Sequence, residues 1–392
     1  MKPSHDLTQA RRATQWIFLV CGLGISTWAP MVPFAKERLG LDDGDLGFLL
    51  LLLGFGALIV MPISGMVMGR IGSRRMILIG TLITSVVLPL LLVIPSYAAM
   101  GFALFALGGG VGAMDVAMNA HGVQVQNLYG RPVMSSLHGL YSVGGIFAPL
   151  GLGLMIKAGL PPLYSAMMMS LLLIALLVFQ YKNLFDFNTE KTIIEKFSGG
   201  ETSHAGEKKN RWLHKRILLL GFMCFAVFIS EGAMLDWGAV FLREIKSVTP
   251  EFSGIGYAAF SVAMAVMRLS GDKIVERLNN KIIVVGGSLI AAAGIGIVIW
   301  TSWLPLVLFG FVLVGMGAAN IVPIFFSEGG RISGIPSTEG IAAITTMGYA
   351  GLLMGPAFLG YIAQHFSLPV ALGVVGGLLL GVAILYGITK GD

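Results

Sequence analysis

The chain has 392 residues, of which 56% are hydrophobic and only 12% charged, with a formal net charge of +6. An ordinary soluble domain carries roughly 25% charged residues, so half that share cannot cover a water-facing surface, and a soluble globular protein is excluded. The charges also cluster: none falls between Arg75 and Asp115, between Lys281 and Glu328, or between Glu339 and Lys390.

A helical span of a ~30 Å hydrocarbon core takes about 20 residues, so each of these gaps holds two spans and a tight turn. The turns read as Ile94-Pro95-Ser96-Tyr97, Trp300 to Pro305, and Gln364 to Pro369. The opening residues are polar, with Arg11 and Arg12. The apolar run from Trp16 to Ala35 is too long for a signal-peptide core and lacks a cleavage site, so it is expected to be a retained first span. In chain order the apolar runs predict helices at 16–35, 46–69, 76–94, 98–126, 133–156, 161–182, 215–242, 252–271, 282–300, 303–327, 339–363 and 369–389. The runs are long and continuous, which favours helices over the ~10-residue alternating strands of a barrel. The fold class expected is an all-α membrane protein of twelve spans.

With both termini in the cytoplasm, the inner side receives 20 Lys and Arg and the outer side 5. That split follows the positive-inside rule, places the chain in a cell inner membrane, and accounts for the net charge without nucleic acid. The one sizeable polar insert, 183–213, reads as a cytoplasmic linker between a bundle at 1–182 and another at 214–392. The halves repeat. Met61 to Gly65 recurs as Met267 to Gly271, Gly110 to Asp115 as Gly315 to Asn320, and Ile25-Ser26 as Ile229-Ser230, all at offsets of 204 to 206. Such repeats are typical of transporters.

The segment Gly65-Met66-Val67-Met68-Gly69-Arg70-Ile71-Gly72-Ser73-Arg74-Arg75 follows the second span. It resembles the G-x-x-x-D-R-x-G-R-R signature of the major facilitator superfamily, with Gly69 where the family has Asp. Its copy after the eighth span keeps an acid–arginine pair, Glu276-Arg277. Ser136 to Gly145 and Glu231 to Trp237 resemble the YbjJ-like inner-membrane branch, related to the fucose permeases. The resemblance implies two six-helix bundles around a cavity lined by spans 1, 4, 7 and 10, working as a monomer. It also implies gating roles for Arg70, Arg74, Arg75, Arg268, Glu276 and Arg277.

An ionisable group inside a span costs at least ~2.5 kcal/mol and is a functional candidate by default. Asp115 shares a helical face with Gly108, Gly112, Asn119, Gly122 and Gln126. A carboxyl partly withdrawn from water there suits proton exchange, and its alternative role is polar glue to a neighbouring helix. Glu231 is the second proton-coupling candidate and also a substrate contact. Asp236 points about 140° away from it and reads as an outer gate or a helix-end bond. His138, with Tyr141 beside it, is a candidate for substrate or proton relay, whereas His121 reads as a packing histidine. Without a third aligned ligand, the two histidines are not expected to hold a metal. Trp28 and Trp237 offer aromatic faces on equivalent spans, and Asn320 is the repeat partner of Asp115. Cys21 and Cys224 read as small buried hydrophobes.

Gly65-x-x-x-Gly69, Gly351-x-x-x-Gly355 and Gly377-x-x-x-Gly381 predict close helix contacts. No nucleotide-binding loop occurs, so no cofactor and no ATP-driven pump is expected, nor an enzyme. The expected function is proton-coupled secondary transport of a small polar solute, sugar or polyol-like. Lys and Arg are expected only at span ends, which disfavours organic anions. Proton-antiport efflux of organic cations stays open, as does a non-transporting sensor.

Overall fold

The computed structural model describes residues 3–41, 43–197, 211–248 and 255–389. Residues 198–210 of the expected linker, with Lys208 and Lys209, lie outside the described residues, as do Lys2 and Lys390. Among the described residues there is no strand, and the chain folds into twelve spans, several of them subdivided. The first is α1 (Pro3–Trp28), a 3-10 turn (Ala29–Met31) and α2 (Val32–Leu39). Spans two to six are α3 (Asp43–Ile71), α4 (Ser73–Leu90), α5 (Tyr97–Tyr129), α6 (Met134–Lys157) and α7 (Pro162–Tyr181). A short α8 (Phe187–Phe197) follows. The seventh span is α9 (Lys215–Asp236) with α10 (Gly238–Glu244), then α11 (Ile255–Arg277) and α12 (Asn280–Trp300). The tenth is α13 (Leu304–Ala318) with α14 (Ile321–Gly329), and α15 (Ser337–His365) and α16 (Leu368–Ile388) close the series.

Ten of these spans are long and apolar enough to cross a bilayer by length and composition alone. The other two, α1 and α11, carry Arg11, Arg12 and Arg268 within their length, which lowers their mean hydropathy. The predicted turns fall where expected, and their chemistry is local. Ser96 accepts from the Ala99 N–H, and Ser367 from the Val370 N–H, so each caps the helix it precedes. Gly130 ends α5 in the left-handed region at φ 70°, a conformation side chains resist.

Span boundaries shift by a few residues throughout, most at the start of the first span, which begins at Pro3, and at the end of α11, which runs to Arg277. Three spans are broken where the sequence reading has one helix. The first, seventh and tenth break at Trp28–Met31, Trp237 and Ala319–Asn320. The apolar runs continue on both sides of all three breaks, so run length alone does not reveal them. The connection at 183–213 is also not uniformly irregular, because α8 buries Glu190 and Ile193.

Contacts group the chain into two compact units. The first holds Met1–Arg131, Leu140–Trp212 and Gly329–Thr346, and the second Pro132–Gly139, Leu213–Glu328 and Met347–Asp392. Within the first, α5 lies between α3 and α4, and every residue from Leu107 to Gln126 is buried. Glycine makes this possible. A Cβ on Gly108 would stand 1.8 Å from the Leu53 carbonyl oxygen, and one on Gly80 2.6 Å from that of Gly110. The second unit repeats the pattern, with α13 between α11 and α12. There, a Cβ on Gly315 would come within 2.3 Å of the Phe260 oxygen, and one on Gly294 within 2.6 Å of that of Gly310.

The expected glycine pairs divide. Gly65 meets Ala342 and Gly351 meets the Phe225 backbone, whereas Gly69, Gly377 and Gly381 have open space where a Cβ would stand. Gly65 against Ala342 and Gly271 against Ser135 form matching crossings, one inside each unit.

Candidate functional site

The second unit holds a buried ion pair. The Arg268 guanidinium, on α11, donates from Nη2 to Glu231 Oε1, on α9, at 3.0 Å. Its Nε donates to the Ala319 carbonyl at 3.1 Å. That carbonyl is available because residue 323 is proline. A helix would satisfy it with the N–H four residues on, and Pro323 has none, so the tenth span opens there and an arginine takes the place of the missing donor. Arg268 is 7% exposed, well inside α11. The sequence reading put it at a span end and counted no fixed cation at depth. The structure corrects this: a permanent positive charge lies within the span, paired to Glu231. With it goes the basis for disfavouring anions.

His138 packs its ring against Phe326 at 5.7 Å and lies within electrostatic reach of Arg268. Asn320 donates to the Met267 carbonyl at 3.4 Å and turns its Oδ1 toward Gly271 on α11. Asp236 is exposed at the end of α9, away from Glu231. Trp237 sits at the break of the seventh span, with its indole against Gly360 and its Nε1 buried without a partner. Glu276 and Arg277 are exposed at the end of α11. One turn earlier Asp272, not singled out from the sequence, accepts the Ser136 N–H at 3.1 Å near the start of α6.

The first unit holds the other carboxyl. Asp115 is 5% exposed on α5, and its Oδ2 is buried with no hydrogen-bond partner. A carboxyl so placed needs a proton, a cation or entering water to compensate it. Asn119 donates to the Asp115 backbone oxygen at 2.9 Å, so its amide is spent partly on its own helix. Trp28 is buried at the end of α1 with an unpartnered Nε1, and the backbone oxygen of Tyr141 abuts Gly22. His121 is fully engaged. Its Nε2 accepts the Phe185 N–H at 3.0 Å, which leaves Nδ1 to donate to Thr14 Oγ1 at 2.9 Å.

The signature loop has its own geometry. Gly72 takes φ 83° and, lacking a side chain, cannot cap α4. Glu190 of α8 does so instead. It accepts the Ser73 N–H at 2.8 Å and the Ser73 hydroxyl. Burial pushes the Glu190 carboxyl up to about 7, against the pull of those two bonds. The Arg74 guanidinium lies 4.1 Å over the Tyr181 ring, while Arg70 and Arg75 are exposed. Glu190 was missed because nothing in its sequence neighbourhood points to a residue 117 positions away.

A polytopic helical membrane protein with duplicated halves, glycine-lined crossings and buried carboxyls belongs to a definable class, and sequence comparison gives it. The Major Facilitator Superfamily model matches residues 16–331, so the chain belongs to that family and is a transporter of its kind. An uncharacterized MFS-type transporter of Yersinia pestis is 42% identical over 374 residues, covering 95% of this chain and 93% of that one. Membrane protein MosC of Rhizobium meliloti is 30% identical over 94% of this chain and 87% of its own. Among solved structures, the fucose:proton symporter FucP of E. coli superposes with TM-score 0.73 at 14% identity, over 97% of this chain and 98% of that one. The proton:xylose symporter XylE gives 0.78 at 11% identity, over 97% and 95%.

Proposed function

We propose that this protein is a proton-coupled secondary active transporter of a small polar solute, with Asp115 and Glu231 as the proton-carrying groups. The observation that carries this is the Asp115 carboxyl, buried on the most enclosed helix of its unit with Oδ2 unpartnered. Proton transfer at a fixed acidic group is what coupling requires, and intramembrane carboxyls mark proton relays. The named activities of FucP and XylE, both proton symporters of sugars, agree with the reading. The Lys and Arg distribution supports an inner-membrane location with cytoplasmic termini.

The test is a proteoliposome carrying a pH-sensitive dye inside, challenged with external sugars, polyols, organic acids and lipophilic cations. Solute-driven acidification in the wild type that is lost in Asp115→Asn supports the reading. Full coupling in the mutant sinks Asp115 as a carrier. Alkalinisation on adding a cation instead identifies the efflux alternative, in which proton and solute compete.

A further inference from the structure

We infer that the Glu231–Arg268 pair is a proton-switched site for the anionic group of the solute, and that the solute class is a small carboxylate. This deepens the proton-coupled transport reading and rests on it.

The two members of the pair are not equivalent. Arg268 holds its charge at any physiological pH, whereas Glu231 can give its charge up by taking a proton. Arg268 is also fixed in place. Its Nε is committed to the Ala319 carbonyl at 3.1 Å, an acceptor that Pro323 leaves without a helical donor, so the guanidinium cannot swing away when Glu231 changes state. Its Nη2 is what Glu231 Oε1 occupies at 3.0 Å. A buried ion pair is costly to break by removing one partner, because the other charge is left bare.

Three solutes can then be compared. A neutral sugar leaves the pair intact and draws no proton through it. An amine would take Glu231 and strand the buried guanidinium without that counter-charge. A carboxylate takes the Nη2 position as Glu231 takes a proton, so every buried charge stays compensated. The step balances: one proton bonds to a Glu231 carboxylate oxygen, one solute carboxylate replaces it on Arg268, and net charge in the site is unchanged. A bidentate carboxylate–guanidinium contact is the geometry arginine favours.

Other charged and titratable groups lie on the elements packed against the pair, including Arg243 and Glu244 on α10. On α6 there is His138, within reach of Arg268. On α11 itself Tyr257 lies within reach of Glu231, Asp236 and Arg268, and Asp272 is spent on the Ser136 N–H. On α9 there is Asp236, exposed at the helix end, and α13 contributes no ionisable side chain.

The experiment uses three ligands on one ring, D-glucuronate, D-glucose and D-glucosamine, with D-gluconate as an open-chain acid. Binding to the purified full chain in detergent is measured at pH 6 and pH 8, and proton uptake is measured in proteoliposomes. The expected result is binding of the carboxylates alone, tightening on the order of tenfold per pH unit as pH falls, since one proton is taken up per ligand. Glu231→Gln, which resembles the protonated state, should bind the carboxylates equally at both pH values and couple no proton. The charge-free double variant Glu231→Gln/Arg268→Gln leaves no bare ion, so its fold is retained, and it should lose carboxylate binding. Retained binding there, or binding of glucose or glucosamine with none of either acid, overturns the proposal. If the acids bind with the expected pH dependence and no vesicle acidifies, the site stands and the transport reading falls. If vesicles acidify only with a neutral or cationic solute, the transport reading stands and the anion site falls.

Discussion

Glu190 accepts the backbone N–H of Ser73 at 2.8 Å, so a carboxyl in the central connection caps a helix whose own N-cap position is a glycine. Asp186, which precedes α8, lies within electrostatic reach of Glu190, and Arg74, on α4, within reach of Asp186. The Glu190 carboxyl rises from an ordinary 4.5 to about 7 in the folded chain. Between those values the folded chain holds a proton at Glu190 that the unfolded chain has released, so this group's contribution to stability falls as pH rises from about 4.5 to about 7 and is level outside that window. Thermal unfolding in detergent at pH 5 and pH 8 should show the higher midpoint at pH 5. Glu190→Gln keeps an acceptor oxygen and should flatten that difference, and an undiminished difference would remove Glu190 as its source.

Replacing Arg268 by methionine strands the Glu231 carboxylate beside the opened tenth span. Breaking a buried pair from one side costs about 3–5 kcal/mol. Arg268→Met should therefore lower yield and melting temperature sharply, and adding Glu231→Gln should restore most of the loss. Size-exclusion profiles and thermal melts of the single and double variants check this.

Glycine positions that look alike in sequence should respond in opposite ways. Gly108→Leu puts a side chain where the Leu53 oxygen already stands, 1.8 Å from the new Cβ, and should abolish folded protein. Gly69→Ala enters open space on α3 and should raise stability by about 0.5–1 kcal/mol through the helix preference of alanine. Fluorescence-detected chromatography after graded heating separates the two.

His121→Phe keeps the ring stacked near Phe185 but removes both nitrogens. The Phe185 N–H loses its acceptor, at a cost of about 1–3 kcal/mol for a buried unsatisfied donor. His121→Asn, which can still accept, should lose less. The order of the two melting temperatures is the measurement, and the reverse order would show that ring packing outweighs the hydrogen bond.

The spans and turns were legible because long uncharged runs broken by Pro and Ser have few alternatives in a bilayer. The duplicated glycines were legible for a similar reason: backbone-to-backbone crossings tolerate only one residue type. Partnerships across the fold were not. Arg268 and Glu231 sit on different spans and no spacing rule joins them. The clue that was available, Pro323 inside the tenth span, marks an orphaned carbonyl without saying which side chain answers it. Glu190 and Asp272 show the same gap, since each serves a helix start far away in the chain. His121 was readable as a packing residue because it lies off the polar stripe of Asp115.

The breaks in the first and seventh spans each carry a tryptophan, Trp28 and Trp237, while Trp300 is 88% and Trp303 67% exposed. Indole emission depends on surroundings, and of the six tryptophans of this chain two, Trp28 and Trp237, stand at helix breaks, while Trp16, Trp212, Trp300 and Trp303 lie elsewhere. With Trp16, Trp212, Trp300 and Trp303 replaced by phenylalanine, the remaining spectrum becomes an optical readout of those two breaks, usable without any attached dye.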